Sequence, residues 1–346
     1  MNFCSDNTTA VCPEILDHMG RVNGGFAMPY GNDDVTARVC TTLKQVFDCD
    51  LAAFPVATGT AANVLSLSVY TPSHGSILCH EESHINVDEC GAPELYTGGA
   101  KLVPFKGGGS KLAPQELENY LNQGWAGNVH QVQPTMISIT QASESGTVYS
   151  IDEVKAISAI CKAHNLKLHM DGARFANALV HLGCSPADIT WKAGVDVLSF
   201  GATKNGALGA EAAVFFDPTM ADLAGFKRKR GGHLFSKMRF LSAQLEAYLA
   251  DDLWLKNAKH ANHTATRLCE GLLAGGIQLR YPVEANELFI LIAKPVAEKL
   301  QNQGFAFYSY PLGGANCYRL VTAWNTDPKD VESFIETAVG AAKKGT

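Results

Sequence analysis

Short apolar segments alternate with segments of helical periodicity between about residue 33 and residue 216. Turn-forming residues separate them, and several of the apolar segments contain almost no polar side chain. Strands of this kind are buried on both faces, which is typical of a mostly parallel sheet covered by helices on both sides. The predicted strands are 51–57, 76–79, 101–105, 135–140, 167–170, 196–200 and 212–216. The predicted helices are 33–47, 58–70, 114–122, 152–165 and 186–192.

The pattern changes after residue 216, where a long helical region over roughly 218–274 precedes apolar runs at 287–292 and 318–324. A short helix near 295–303 separates these runs, and a final amphipathic helix begins at Asp327–Pro328. This arrangement predicts a smaller α+β domain. The predicted division is 1–25 for an N-terminal segment packing near the small domain, 26–245 for the large domain and 246–346 for the small C-terminal domain.

Composition and charge exclude several classes of protein. The chain carries 28 basic and 34 acidic side chains, and the net charge of −6 argues against nucleic acid as a partner. Its ten cysteines contain no C-x-x-C pair, so reduced thiols are expected and no metal site is predicted. The apolar runs are shorter than the roughly 20 residues of a bilayer span, and the N-terminus does not resemble a signal peptide. We therefore expect a cytoplasmic protein that binds neither nucleic acid nor membrane.

The first candidate site lies where the predicted strand 51–57 passes into a helix, at Gly59 and Thr60. Free backbone N–H groups and the helix dipole at such a point bind anions, typically phosphate. The alternative is an ordinary helix N-cap made by a threonine. The segment matches neither G-x-x-x-x-G-K-[ST] nor G-x-G-x-x-G, which argues against nucleoside triphosphates and dinucleotides.

The second candidate is Asp171, which ends a predicted buried strand three residues before Arg174. A buried carboxylate needs a positive or hydrogen-bonding partner. One interpretation is a local ion pair between these two side chains. The other is that Asp171 faces a protonated heterocycle nitrogen, which leaves Arg174 free for a substrate carboxylate.

The third and fourth candidates are Lys204 and His84, each of which follows a predicted strand. Lys204 lies in VLSFGATKNGALGAEA, where nearly every neighbour has a small side chain. Small neighbours would leave room beside the lysine for a flat, bulky partner. Although most such lysines are solvated, a desolvated lysine amine can form a Schiff base with an aldehyde. His84 is either a hydrogen-bonded structural residue or an aromatic side chain that stacks on a ring and titrates near neutral pH.

The four candidates together provide a phosphate site, a partner for a ring nitrogen, a Schiff-base lysine and a stacking aromatic. Pyridoxal 5′-phosphate needs all four, and the lysine with the aspartate are the marks of its binding site. The combination is far more specific than any one of its members. The sequence therefore predicts pyridoxal 5′-phosphate as the cofactor.

The chain resembles the fold-type I pyridoxal-phosphate enzymes, and among them the low-specificity L-threonine aldolases. The matching segments are collinear over nearly the whole chain: SDN at 5–7, YGNDD at 30–34, ATGTAAN at 57–63, EESHINVDECGAPE at 81–94, LHMDGARFANA at 168–178, FGATKNG at 200–206 and YRLVTAW at 318–324. The resemblance implies cleavage of L-threonine, L-allo-threonine and related β-hydroxy-α-amino acids into glycine and an aldehyde. A β-eliminating lyase or an aminotransferase is the alternative, because such enzymes share the cofactor site.

The resemblance also implies roles for individual residues. Lys204 matches the lysine that holds the cofactor covalently, and His84 matches a histidine that stacks on the ring and is a candidate for proton transfer at the substrate β-hydroxyl. Gly59 and Thr60 match the phosphate site, and Asp171 matches the partner of the ring nitrogen.

Further matches concern the substrate and a neighbouring subunit. Ser5, Arg174 and Arg319 match residues that bind the substrate carboxylate. Arg230 and Lys237 lie where the family has cations near the phosphate of a neighbouring subunit's site, which implies a homodimer or homotetramer with shared active sites.

Two departures from the family pattern are visible. Glu144 stands where relatives often have a histidine. The lysine loop, Thr203–Ala207, lacks the usual S-K-G-L motif followed by a proline.

Overall fold

The computed structural model describes residues 1–124 and 126–343. Within these residues, a seven-stranded sheet forms the centre of the large domain, in the order β1-β7-β6-β5-β4-β2-β3. Its strands are β1 (Ala52–Val56), β2 (Gly75–His80), β3 (Lys101–Phe105), β4 (Gln133–Thr140), β5 (Lys167–Gly172), β6 (Val197–Gly201) and β7 (Glu211–Phe215). Every predicted strand of this region is therefore confirmed, with ends that differ by up to two residues.

The sheet is parallel except at β7, which runs antiparallel to both β1 and β6. The predicted mostly parallel sheet is confirmed. Because β1, β2, β4, β5 and β6 point the same way, their carboxyl ends meet at one edge, where β7 begins. Ligands bind at this edge in open sheets of this kind.

Both faces of the large sheet are covered, which explains why its strands are apolar on both sides. Leu198 and Phe200 of β6 belong to the largest core, whereas Val197 belongs to a second core on the opposite face. The helix Gly59–Tyr70 covers that opposite face, and nearly all of its side chains are buried. Side chains alternate between the faces of a strand, so two helical layers are needed to bury them.

The described helices extend from the N-terminal segment to the C-terminal end, and several were not predicted from the sequence. Pro13–Arg21, Ala92–Thr97 and Phe175–Leu182 are the clearest additions. The α-helices are Pro13–Arg21, Asp34–Phe47, Gly59–Tyr70, His84–Val87, Ala92–Thr97, Pro114–Leu121, Ile151–Ala163, Phe175–Leu182, Pro186–Ile189, Ala221–Arg230, Arg239–Leu249, Leu253–Ala274, Lys294–Asn302 and Pro328–Ala342. No described helix combines the length and the apolar character that crossing a membrane requires.

The predicted long helical region over roughly 218–274 is confirmed as helical, but it is not continuous. The chain forms three helices there, separated at 231–238 and at 250–252. Gly232 and the pair Asp251 and Asp252 have positive φ angles, which a continuous α-helix does not allow. The predicted helix 186–192 is likewise shorter, because Pro186–Ile189 gives way to a 3₁₀ turn.

The C-terminal region contains a second, smaller sheet and its own core. Its antiparallel strands are β8 (Gln278–Leu279), β9 (Glu287–Leu291), β10 (Tyr308–Ser309) and β11 (Cys317–Val321), in the order β10-β11-β9-β8. Phe3 from the N-terminal segment packs in this core, and its backbone bonds to Ala306 and Val321. The helix Leu253–Ala274 is shared, since its first half packs on the large core and its second half on the small one. The domain boundaries at 25/26 and 245/246 stay a prediction.

Candidate active site

A cavity of about 360 Å³ opens at the carboxyl edge of the large sheet. Its size is within the range of small-molecule sites. The candidate residues that line it are Gly59, Thr60, His84, Asp171, Arg174 and Lys204. The fold thus brings together residues that are up to 145 positions apart in the sequence (204 − 59).

Lys204 lies on a short 3₁₀ turn, Thr203–Asn205, directly after β6. The neighbouring Asn205 is buried and donates hydrogen bonds to the Tyr248 hydroxyl and the Trp254 carbonyl, both at 2.8 Å. Asn257 in turn donates to the Asn205 carbonyl at 2.9 Å. The loop that carries the lysine is therefore fixed by the following helices.

The small residues around Lys204 have two different uses. A Cβ atom on Gly201 would lie 2.7 Å from the Ala173 carbonyl oxygen, and one on Gly172 would lie 2.7 Å from the Ser199 carbonyl oxygen. These two glycines therefore let the ends of β5 and β6 approach each other. Gly209, by contrast, lines the cavity. The expectation that the small residues simply clear space for a flat partner is only part of the explanation.

Gly59 and Thr60 form the first turn of the twelve-residue helix that follows β1. Thr58 is the N-cap, and its hydroxyl oxygen accepts a hydrogen bond from the Ala61 N–H at 3.0 Å. The N–H groups of Gly59 and Thr60 precede the first intrahelical donor, as at any helix start. No atom lies within 4 Å of where a Cβ atom on Gly59 would be, so the helix start is open to an anion. The capping and the anion-site interpretations are thus compatible.

Asp171 is buried at the end of β5 and accepts two hydrogen bonds. Its Oδ2 accepts from the Asn63 amide at 2.8 Å, and its Oδ1 accepts from the Ala173 N–H at 3.0 Å. The local Asp171–Arg174 ion pair that was one interpretation of the sequence does not form, because Arg174 binds other carboxylates.

His84 begins a one-turn helix after β2, and acidic groups surround it. Its Nδ1 lies 2.8 Å from Glu89 Oε1, and its backbone N–H donates to Glu144 Oε1 at 3.2 Å. The hydrogen bond with Glu89 raises the pKa of His84, and the charges of Asp171, Glu89 and Glu144 add to this against the effect of burial.

Two glutamates that line the cavity have raised pKa values. Burial raises the pKa of Glu144 to about 7, although the Lys204 amine opposes the shift. Burial also raises the pKa of Glu211 to about 7, against the hydrogen bonds from Thr203 and from the Ala202 N–H. Such groups exchange protons close to neutral pH, and perturbed groups of this kind cluster at functional sites.

Arg174 lines the cavity, and two carboxylates engage its guanidinium, while its role as a substrate-binding residue stays a prediction. Nε and Nη2 bind the two oxygens of Asp6 at 2.8 and 3.1 Å, and Nη1 lies 3.2 Å from Glu287 Oε2. Burial alone would lower the pKa of Arg174, and the two carboxylates raise it. Glu287 also connects this arginine to Arg319, whose Nη1 is 3.8 Å from Glu287 Oε1.

The remaining predicted residues do not line the cavity of their own chain. Ser5 caps a short turn, and its hydroxyl accepts a hydrogen bond from the Asn7 N–H at 3.1 Å, whereas Asn7 itself lines the cavity. Arg319 lies behind Arg174 on β11. Arg230 and Lys237 are exposed, and Arg230 lines a separate surface groove.

The sequence interpretation missed several polar residues at the site. Asn63 and Glu89 stand within the quoted segments ATGTAAN and EESHINVDECGAPE, but neither follows a strand directly. Asp6 and Glu287 come from outside the large sheet. The one signal that could have identified such residues is a carboxylate inside a predicted buried strand or helix. Glu287 gives this signal, because it is the first residue of the predicted strand 287–292.

The residues present fit pyridoxal 5′-phosphate. The open helix start at Gly59 offers N–H groups to a phosphate, and the buried Asp171 carboxylate offers an acceptor for a protonated ring nitrogen. The amine of Lys204 and the imidazole of His84 line the same cavity. No residue type that the cofactor needs is missing from this wall of the cavity, within the part of the chain that the structure describes.

The chain is similar to known proteins over nearly its whole length. The model of the family described as beta-eliminating lyase matches residues 2–295. A low-specificity L-threonine aldolase from Pseudomonas sp. (strain NCIMB 10558) is 44% identical over 335 residues, which cover 96% of this chain and 95% of that protein.

Solved structures agree with the sequence comparison. A threonine aldolase from Leishmania major superposes with a TM-score of 0.91 at 30% identity, covering 97% of this chain and 98% of its own. A serine palmitoyltransferase from Sphingomonas wittichii superposes with a TM-score of 0.75 at 14% identity, covering 99% of this chain and 87% of its own. At that identity the second likeness shows the fold alone, which is the predicted fold-type I architecture.

Proposed function

The chain belongs to the beta-eliminating lyase family, and on this premise we propose that it is a carbon–carbon lyase of the threonine aldolase type. It cleaves L-threonine, L-allo-threonine and related β-hydroxy-α-amino acids into glycine and an aldehyde, with pyridoxal 5′-phosphate as cofactor. The aldehyde from threonine is acetaldehyde. The observation that carries the proposal is the single cavity at which Lys204, Asp171 and the helix start at Gly59 meet. The threonine aldolases named above support the choice of reaction.

We assign the cofactor to the cavity wall as follows. Lys204 would hold it covalently through Nζ, Asp171 would accept a hydrogen bond from its ring nitrogen, and the N–H groups of Gly59 and Thr60 would bind its phosphate. His84 would supply the aromatic side chain for its ring. When bound, pyridoxal 5′-phosphate supplies an electron-withdrawing ring that accepts the electron pair of a bond broken at the substrate Cα.

The substrate is held by its carboxylate. Arg174 and Arg319, with Ser5, orient the amino acid so that the Cα–Cβ bond is the one that breaks. Because Asp6 and Glu287 already bind Arg174, these carboxylates set the direction of its guanidinium. In the overall reaction the β-hydroxyl loses its proton as the aldehyde forms, and Cα gains a proton to give glycine.

The β-hydroxyl proton has two candidate acceptors, His84 and Glu144. Both line the cavity, and both belong to the groups whose pKa values are raised there. General bases work best when their pKa lies near the working pH.

The assembly and the location also form part of the proposal. Arg230 and Lys237 are exposed and lie away from their own cavity, which supports a homodimer or homotetramer in which they approach the phosphate of a neighbouring site. We propose a cytoplasmic enzyme that acts on a small-molecule amino acid.

Product analysis tests the reaction type. The purified protein with its cofactor is incubated with L-threonine, L-allo-threonine, L-serine or phenylserine, and glycine, aldehyde, ammonia and keto acid are measured. The proposal predicts glycine and aldehyde in equal amounts from the β-hydroxy amino acids. Ammonia with a keto acid indicates a β-eliminating lyase, and a keto acid with an aminated cofactor indicates an aminotransferase. The absence of glycine with all four substrates would overturn the proposal.

A further inference from the structure

A buried carboxylate outside the cavity wall connects two of the cofactor-binding residues. Glu89 lies five residues after His84, and its side chain is completely buried. Its Oε1 lies 2.8 Å from His84 Nδ1 and accepts a hydrogen bond from the Asn63 amide, also at 2.8 Å. The same Asn63 nitrogen donates to Asp171 Oδ2 at 2.8 Å. His84 and Asp171 are therefore joined through one carboxylate and one amide.

The chemistry of Asn63 fixes the state of its partners. An amide nitrogen carries two hydrogens and accepts nothing, so both carboxylates that it contacts act as acceptors. As a carboxylate, Glu89 accepts from His84 as well through Oε1, and Nδ1 of the imidazole is then the donor. Glu89 Oε2 is buried and has no hydrogen-bond partner within the described residues. An uncompensated carboxylate in such a place needs a positive charge beside it.

We propose that Glu89 is a positioning residue for His84. Glu89 holds the imidazole by Nδ1, keeps the imidazole charged and leaves Nε2 for the cavity. The role of this arrangement in catalysis rests on the proposed function. The arrangement itself depends only on the contacts of Glu89. No hydrogen bond of Nε2 is found in the part of the chain that the structure describes, so this nitrogen is available to a ligand.

Carboxylates face His84 from three neighbouring elements, and the positive groups that share its cavity are Lys204 and Arg174. Glu89 lies on its own segment, Glu144 on the loop after β4, and Asp171 at the end of β5. Each favours the charged imidazole, and the hydrogen bond with Glu89 is the largest contribution to the raised pKa. A charged imidazole donates hydrogen bonds and accepts no proton. While the imidazole of His84 is charged, Glu144 is the candidate acceptor that remains for the β-hydroxyl proton.

The chain offers a matched control for Glu89. His18 Nε2 lies 2.7 Å from Glu246 Oε2, a second histidine–glutamate pair that does not line the cavity. Replacement of either glutamate by glutamine keeps the shape and removes the charge. Only Glu89→Gln is expected to change His84.

The experiment is an NMR titration of the histidine ring signals in the protein without cofactor, in which the His84 signal is identified by its loss in His84→Asn. In the unmodified protein His84 is expected to titrate above its ordinary pKa. In Glu89→Gln the pKa is expected to fall by about one pH unit or more, since an opposite charge at this distance shifts a pKa by that amount. In Glu246→Gln the pKa of His84 is expected to stay unchanged.

Two results would overturn the inference: a His84 pKa at or below the ordinary value in the unmodified protein, or the same His84 pKa in Glu89→Gln. If Glu89→Gln does not fold, the unmodified protein still decides the question, and Glu89→Asp, which keeps the charge, is expected to keep the pKa raised. The titration needs no substrate. Its failure is therefore distinct from a failure of the proposed reaction, which would appear as an absence of glycine.

Discussion

Arg174 and Asp6 form a buried two-point ion pair, with Nε 2.8 Å from Oδ2 and Nη2 3.1 Å from Oδ1. The two residues are 168 positions apart, and their side chains are 7% and 1% exposed. The pair fastens the N-terminal segment to the end of β5 beside the cavity. Asn286 adds a hydrogen bond to Asp6 Oδ2 at 3.1 Å, so the small domain is tied to the same carboxylate.

Asp6→Asn is expected to destabilise the protein by about 3–5 kcal/mol, because it leaves a buried guanidinium without its main counter-charge. Burial alone would raise the pKa of Asp6, yet Arg174, Lys204 and the hydrogen bonds from Arg174 and Asn286 hold it below its ordinary value of 3.8. Its stabilising effect is therefore present above that value and is lost as the pH falls through the folded-state pKa. Urea unfolding at neutral and acid pH measures both effects.

The exposed pair of Arg267 with Glu332 provides the control, because it has nearly the same geometry, with contacts of 2.7 and 3.0 Å. Glu332→Gln is expected to leave the free energy of unfolding nearly unchanged, because solvent screens an exposed pair. Equal losses in the two variants would show that burial of the Asp6 pair does not matter.

Glu144→Gln is expected to lower kcat by roughly 10²–10⁴-fold, the usual contribution of a general base, with a smaller change in KM. Only the ionised carboxylate accepts a proton, and burial raises its pKa to about 7. The rate should therefore rise from about pH 6 to about pH 8 in the unmodified enzyme and lose this rise in the variant. Glu211→Gln, which removes the other cavity glutamate with a raised pKa, should keep the rise. If the rate of Glu144→Gln rises with pH as it does in the unmodified enzyme, another group accepts the β-hydroxyl proton.

Arg319→Ala is expected to raise KM for the amino acid by about 10- to 100-fold, which corresponds to the loss of a charge-assisted pair of roughly 1.5–3 kcal/mol. The effect should fall on binding because Arg319 contacts Glu287, which also binds Arg174 at the cavity, and the Cys4 carbonyl. Steady-state kinetics with L-threonine measure it. Arg267→Ala is the control, and an unchanged KM in Arg319→Ala would remove this residue from the substrate site.

A mixing experiment tests whether active sites are shared. Subunits with Lys204→Ala and subunits with Arg230→Ala are each expected to be nearly inactive, and hybrids that combine them should regain activity because one site in each pair is intact. Lys204→Ala mixed with Asp171→Ala should regain none, since both residues line the cavity of one chain. Restored activity in both mixtures, or in neither, would count against Arg230 acting across subunits.

The sequence predicted the part of the fold that depends on local patterns. Strands buried on both faces appear as apolar runs, so the large sheet and the positions of Asp171 and Lys204 at its carboxyl edge could be inferred. The interruptions of the region 218–274 were missed, although Gly231-Gly232 and Asp251-Asp252 mark them. Helical periodicity on both sides outweighed these short breaks.

The polar network of the site could not be inferred from local patterns. Asn63 meets Asp171 across 108 positions, and Asp6 meets Arg174 across 168, so both contacts depend on the finished fold. A carboxylate such as Glu89 reads in the sequence as an ordinary surface residue of a short helical segment. In the fold it is buried and bonded to Asn63 of the helix Gly59–Tyr70, 26 positions away, which residue spacing does not express.

The most direct test of the account is to locate the covalent bond between the protein and its cofactor. The protein loaded with pyridoxal 5′-phosphate is reduced with borohydride, which makes the bond permanent, and is then digested and analysed by mass spectrometry. We expect the cofactor on Lys204 and none on the digested peptides of Lys204→Ala, which should also form no glycine from L-threonine. Modification of a different lysine, or glycine formation by Lys204→Ala at the rate of the unmodified enzyme, would contradict this expectation.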